Sequence, residues 1–420
     1  MAAEDVLAST GATLAAPPSR HPVVAEFQVG WPVLLAAMIG IGVGIIAIPS
    51  PAIGVFMRNM QTEFGWSRAE ISLGPTILVA TLALVAPWLG WLADRVPSRA
   101  IVAVSLTALA ISLFLFSRLG GALWVYYLGF AIMAAAGSGA ATLVYARVLS
   151  GAFHQARGLA LGLAMIGNGI TGVVLPLLLV PYAATHGWRD GFVALALIVA
   201  VATPLVVLLI GAGRGGKAAK TGNDAPGATF GEALGGRAFW VMAAAFMLIP
   251  LAAGGLHLHF LAYLADVGVD AATAGFLASL GGVALVTARL LTGFLIDHIF
   301  APYVAAVMMM LSALSIGAMA IFGAPAAALG AIAVGLSIGA ELDLIGYMTA
   351  RYYGMKAYGR IYGILYAVVL VGSAVSPVIY GLAVDLTHSY QAMLTAAAAI
   401  LAACAVLFLT LPRFPRSVQG

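Results

Sequence analysis

Charge is what this sequence has least of. Only 8% of its 420 residues are Asp, Glu, Lys or Arg, where a soluble domain carries about 25%. With 63% of residues hydrophobic, the chain lacks the polar surface to face water, which excludes an ordinary soluble enzyme or binding module and leaves an integral membrane protein. Cysteine is nearly absent. The single Cys404 lies in an apolar run, so neither a disulfide framework nor a cysteine-based metal site can form within one chain. A cleavable leader is not expected at residues 1–30, which mix Glu4, Asp5, Arg20 and Glu26 with prolines and contain no short apolar core. No basic patch could meet a nucleic-acid groove. No nucleophile–base set appears, and nothing is spaced to hold a metal or another cofactor, so an enzyme is not expected.

Long apolar runs are present in abundance. Twelve are marked, at 31–57, 67–92, 99–118, 122–150, 156–183, 190–212, 237–265, 271–297, 301–323, 325–352, 358–384 and 389–411. Each is long enough to cross a hydrocarbon core of about 30 Å. Backbone in lipid must satisfy its own hydrogen bonds, so the runs are expected to be helices and the fold all-α. The longest polar break, "GRGGKAAKTGNDAPGATFGEALGGR", has the Gly, Lys, Asp and Pro content of a flexible linker. The expected organisation is a tail at 1–30, a six-helix half at 31–212, a linker at 213–236, a second six-helix half at 237–411 and a tail at 412–420.

The halves read as repeats. "GWLAD" at 90–94 recurs as "GFLID" at 293–297, Gly65 matches Gly268, and Arg157 matches Arg360, all at one offset; "THGW" and "THSY" follow within one residue of it. Duplicated six-helix halves are typical of secondary transporters, whose substrate site lies between them near the bilayer midplane. Orientation follows from the basic residues. Of the 19 Lys and Arg, only Arg58, Arg68, Arg118 and Arg189 fall on one side, Arg289 lies inside a span, and the rest fall on the other side. That basic side is the cytoplasm, so both termini and the linker are expected there. Compact loops and the Ala- and Gly-heavy composition fit a bacterial inner membrane.

The loop "GWLADRVPSR" at 90–99 resembles the signature loop of the major facilitator superfamily, G-x-L-x-D-R-x-x-x-R, through Gly90, Leu92, Asp94, Arg95 and Arg99. Pro97 stands where that family usually has Gly. The resemblance implies the twelve-helix major facilitator fold. Gly90 permits close helix approach. Asp94 can cap a neighbouring helix N-terminus or pair with an Arg, latching one state of a transport cycle; Asp297 is its echo in the second half. The plain alternative is a charged loop that only sets topology.

"FHQARGLALGLAMIGNGITGVVLPLL" at 153–178 and "EFGWSRAEIS" at 63–72 resemble the monocarboxylate porter branch of that superfamily, which includes the oxalate/formate antiporters. "GNGITG" at 167–172 matches G-x-G-x-x-G, but it sits inside an apolar helix with no preceding strand, so it is read as a helix-packing stripe and not a dinucleotide site. Asn168 within it either bonds a neighbouring helix or touches the cavity. Arg289, in "VALVTARLLTGFLID", lies about 12 Å along its helix from Asp297. A buried Arg costs at least ~2.5–3.5 kcal/mol on insertion scales, and its fork suits a carboxylate. The branch resemblance implies a substrate-binding arginine at this place. The alternatives are a permanent protein counter-ion or snorkelling to the cytoplasm.

The chain also departs from the branch. Animal members carry a coupling Asp four residues before that arginine and a lysine in helix one; here those places hold Leu285 and, near "PSPAIGVF", Pro51. Acids appear elsewhere, in "SIGAELDLIGYM", where Glu341 and Asp343 point about 200° apart on a helix. One is expected to couple protons or to serve as the resting counter-ion of Arg289, and the other to tie helices; the plain alternative is that both are structural ties, and residue order alone does not choose, though Glu341 is favoured by its distance from the glycine packing face. His257 and His259 could move protons or bond substrate. Tyr362 and Tyr366, four apart, share a helix face and could donate to an anion or simply pack. The expected function is a monomeric permease, with no cofactor, that moves a small organic anion with protons by alternating access. An oxalate/formate-type exchanger, a drug or metabolite exporter, and a transport-dead sensor are the other readings.

Overall fold

The computed structural model describes residues 22–212, 226–387 and 389–415. Arg20, Arg214, Lys217, Lys220, His388, Arg416 and linker residues 213–225 lie outside these. Among the described residues there are fourteen α-helices and no β-strand beyond an isolated bridge between Gly227 and Gly354. The first half is built from α1 (Pro22–Gly42), α2 (Pro49–Phe64), α3 (Arg68–Ala93), α4 (Ser98–Phe116), α5 (Leu123–Gly137), α6 (Thr142–Ala152) and α7 (Arg157–Ala212). A short α8 (Phe230–Gly235) precedes α9 (Arg237–Asp266), α10 (Ala271–His298), α11 (Ala301–Phe322), α12 (Ala327–Tyr353), α13 (Tyr358–Thr387) and α14 (Gln391–Leu409).

These helices supply twelve spans. α7 carries two of them, divided at Gly187, whose φ of 84° only glycine adopts freely. Two other spans are broken midway. The first consists of α1 and α2, with residues 43–48 unwound between them. Pro49 and Pro51 have no N–H, so the carbonyls of Ile45 and Ala47 lose their helical partners and the helix cannot run through. The fourth span is α5 and α6, interrupted at residues 138–141, where the Gly139 N–H donates to Ser105 Oγ at 3.2 Å. Side-chain caps close the exposed helix starts: Ser67 and Glu70 form a reciprocal box at α3, Thr229 and Glu232 do so at α8, and Asp270 caps α10.

The outer surface is apolar. Leu84, Trp88 and Val201 are 76%, 73% and 73% exposed, the reverse of a soluble protein and the pattern expected where lipid is the solvent. The halves meet along two helix pairs, α3 with α13 and α7 with α10. Glycines allow both contacts. Gly90 lies against the Gly359 backbone, and Gly158 against Gly293, leaving no room for a side chain at any of these positions.

Candidate functional site

Between the halves lies a cavity of about 260 Å³, slightly below the range of about 300–1,000 Å³ usual for drug-sized ligands. The first half contributes Ile41 before the first break and Ile46 within it, Ala140 and Ala141 from the second break with Thr142 just after it, and Val79, Met165 and Asn168. Irregular backbone is tolerated at bilayer depth where it is buried in protein or lines such a space. The second half contributes Arg289 from α10, Ile338, Glu341 and Leu342 from α12, and Tyr366, Val369, Leu370 and Ser373 from α13.

Glycine packing positions the charges. Gly335 and Gly339 of α12 lie against α10; a Cβ on Gly339 would meet the Leu285 carbonyl at 2.7 Å and the Ala288 Cβ at 2.9 Å. One turn further along α10, Gly162 of α7 faces the Arg289 carbonyl, 2.8 Å from where its own Cβ would stand. Arg289 is therefore clamped between both halves, and α12 holds Glu341 beside it.

Arg289 is only 7% exposed, and its Nε and Nη1 are buried with no hydrogen-bond partner. Among the described residues no carboxylate lies within 4.0 Å of its guanidinium. A permanently locked counter-ion is thus not what the geometry holds. Glu341 and Asp343 are both buried within electrostatic reach of Arg289, each with one unpartnered oxygen. Of the two, Glu341 lines the cavity and Asp343 does not line it.

The remaining candidates divide. Asn168 and Tyr366 reach the cavity. Tyr362 does not line it; it is fully buried with a free hydroxyl, in a ladder whose ring centroids stand 5.7 Å from Tyr358 and 6.0 Å from Tyr366. His257 is exposed on α9 and is not among the lining residues. His259 ties helices together, with Nδ1 3.3 Å from the Tyr390 hydroxyl and Nε2 3.2 Å from the Pro377 carbonyl. Ile46, Ala140 and Ala141 are lining residues that sequence reasoning missed. Pro49–Ser50–Pro51 and Gly137–Ser138–Gly139 were the available signals.

At the end bearing the signature loop, two carboxylates reach from one half to a helix start of the other. Asp94 accepts from the N–H groups of Gly359 at 2.8 Å and Arg360 at 3.0 Å, at the start of α13. Asp297 accepts from Gly158 at 2.7 Å and Leu159 at 2.9 Å, at the start of α7. These bonds satisfy orphan amides and meet the positive end of the helix dipole. Asp94 also has Arg147 at 3.5 Å, and Arg147 donates to the Ala93 carbonyl. Burial raises the Asp94 carboxyl above its ordinary range, while Arg147 and the two amides pull it back. Nearby, Arg95 stacks on Trp91 at 4.1 Å, and Arg99 lies against Gly211 at the end of α7.

A bundle of membrane-length helices in two halves, closed at one end by matched carboxylates around a cavity with one bare cation, defines a polytopic transporter. The model of the Major Facilitator Superfamily matches residues 33–340 and 260–420, and the chain belongs to that family. It is 27% identical over 411 residues to monocarboxylate transporter 11 of mouse, covering 91% of this chain and 88% of that one. It is 26% identical over 392 residues to monocarboxylate transporter 13 of rat, covering 92% and 89%. Among solved structures, the Escherichia coli fucose:proton symporter superposes with a TM-score of 0.69 at 13% identity, covering 91% of this chain and 98% of that one. A human organic anion transporter does so with a TM-score of 0.69 at 13% identity, covering 91% and 99%. The protein is a multi-pass membrane transporter related to monocarboxylate transporters, and not an enzyme.

Proposed function

We propose that this transporter moves a small organic anion, monocarboxylate-like, together with a proton by alternating access. It sits as a monomer in the cell inner membrane, with both termini cytoplasmic. One observation carries the reading: Arg289 is a buried, unpaired guanidinium facing the cavity between the halves. An unsatisfied buried cation is costly, and an arriving carboxylate would satisfy both free nitrogens with charge-assisted bonds. The curated relatives from mouse and rat are named for monocarboxylates.

Charge balance supports coupling. In the empty cavity an ionised Glu341 offsets Arg289. Adding an anion leaves one negative charge in excess in a low-dielectric space, and a proton taken up by Glu341 restores neutrality. Substrate and proton therefore load together. With that end cytoplasmic, the Asp94 and Asp297 bonds would close the cavity on its inner side. Release would follow when the two carboxylates leave the starts of α13 and α7.

A thermal-shift panel on the purified protein tests the substrate class, since a ligand that binds only the folded state raises its melting temperature. Carboxylates are expected to stabilise the wild type and not Arg289→Ala. Equal stabilisation of both by neutral or cationic compounds would transfer the protein to the exporter reading. Uptake into proteoliposomes tests coupling: Glu341→Gln should lose its response to an inward proton gradient while Asp343→Asn keeps it. Uptake that needs a counter-substrate and carries no proton would mark an exchanger.

A further inference from the structure

A second space opens onto Arg289 from the side. It is a groove of about 400 Å³ between α7 and α10 that shares Met165, Asn168 and Arg289 with the central cavity. Its other walls are Ile166, Ile170, Val173 and Val174 of α7 and Leu285 and Val286 of α10, with Gly169 between them. Ile170, Val173, Val174 and Val286 are 51%, 64%, 42% and 39% exposed, in the middle of membrane-spanning helices. The groove thus faces the hydrocarbon of the bilayer.

The glycines show how it forms. Near the latched end, α7 and α10 touch at Gly158 with Gly293 and at Gly162 with the Arg289 backbone. Further along, a Cβ added at Gly169, Gly172 or Gly282 would meet nothing within 4 Å. The two helices diverge from Arg289 onward, and the wedge between them is lined with branched aliphatic side chains. Asn168 and Arg289 are its polar groups, both at the inner end.

From this arrangement we propose that the transported anion is an amphiphilic monocarboxylate. Its head meets Arg289, and its aliphatic or aromatic body lies in the α7–α10 groove, which admits it from the lipid. This rests on the carboxylate reading of Arg289. A polyhydroxylated acid fits poorly, because its hydroxyls would find no partners among Ile166, Ile170, Val173, Val174, Leu285 and Val286. Leu285 contributes apolar wall one turn from the guanidinium, so the groove stays apolar up to the charge.

The test measures binding of propionate, hexanoate and decanoate, with decanol as a neutral control, to the protein in lipid nanodiscs. Wild type, Arg289→Gln and the groove-filling Val173→Trp are compared. In wild type, affinity should rise about fourfold per methylene, the fold-change equivalent to about 0.8 kcal/mol for each buried CH₂. Val173→Trp should lose that gain and still bind propionate, which also shows that it folds. Arg289→Gln should lose all carboxylate binding, and decanol should not compete. Arg289-dependent binding that is flat with chain length would overturn the groove proposal and leave the carboxylate reading standing. Length-dependent binding that survives Arg289→Gln, or competition by decanol, would make the groove a seat for lipid tails and overturn the proposal. Absence of Arg289-dependent binding at every length would sink the carboxylate reading itself.

Discussion

At the latched end the two halves behave as copies; at the cavity they do not. Asp94 and Asp297 each span from one half to a helix start in the other, and each has a glycine contact beside it, Gly90 with Gly359 and Gly293 with Gly158. At the cavity the first half offers broken helices, apolar side chains, Thr142 and Asn168. Arg289 and Glu341, its two ionisable lining groups apart from Tyr366, both come from the second half, on unbroken helices. Polar satisfaction differs in the same way. The latch carboxylates are fully bonded, while Arg289, Glu341 and Asp343 retain buried atoms without partners. Bonded groups hold a conformation, and the unbonded groups around the cavity leave hydrogen bonds that a ligand could make. The two halves thus match at the end that bears the carboxylates and differ at the cavity.

The two latches are not equal in one respect, and this gives the largest expected effect. Asp94→Ala strands the buried Arg147, and breaking a buried pair in this way costs about 3–5 kcal/mol. Asp297→Ala removes a helix cap with no ion pair within 4.0 Å among the described residues, at about 1 kcal/mol. Melting temperatures of the two variants should separate clearly; equal falls would remove the asymmetry. Next comes the cavity. Arg289→Gln should lower uptake about 100-fold, or ~3 kcal/mol, and Asn168→Ala about fivefold, or ~1 kcal/mol. Without ligand, the Arg289 variant should melt no lower than wild type, because a buried guanidinium with unsatisfied donors has gone and Glu341 can take up a proton in its absence. A lower melting point would mean that Arg289 is a structural tie. The smallest effect lies at the opposite end, where Glu63 bonds Arg189 at 2.6 Å with both side chains 40% exposed. Exposed pairs contribute about 0.2–1 kcal/mol, so Glu63→Gln should shift melting only slightly. The hydrogen bond from Arg189 holds the Glu63 carboxyl below its ordinary value of 4.5. A depressed carboxylate keeps its contribution above that value and loses it as pH falls through the folded value. The difference between wild type and Glu63→Gln should therefore stay constant from pH 8 to about 5 and vanish only in stronger acid.

Much of the fold could be read without coordinates because lipid restricts a chain so severely. A run of apolar residues long enough to span must be a helix, and a charge inside such a run needs a reason. That is why the spans and Arg289 stood out, and why Asp94 did once its loop was seen twice. The breaks were harder to see. Pro49 and Pro51 could as easily kink a helix as end one, and 138–141 carries no proline at all. The histidines show the same limit. His259 fits a proton carrier on composition, yet its nitrogens face Tyr390 and Pro377, which are remote in sequence.

The sequence by itself determined that the chain spans a membrane, that it does so in two repeated halves, and that Arg289 is an expensive residue to bury. These follow from composition and periodicity, which act locally. Only the tertiary structure decided which of Glu341 and Asp343 meets the cavity, that Arg289 lacks a partner, and that a groove leads from it to the lipid. A helix fixes the angle between two of its side chains, but its neighbours decide what each one faces. Here those neighbours, α7, α10 and α13, are brought together by glycine contacts between distant parts of the chain.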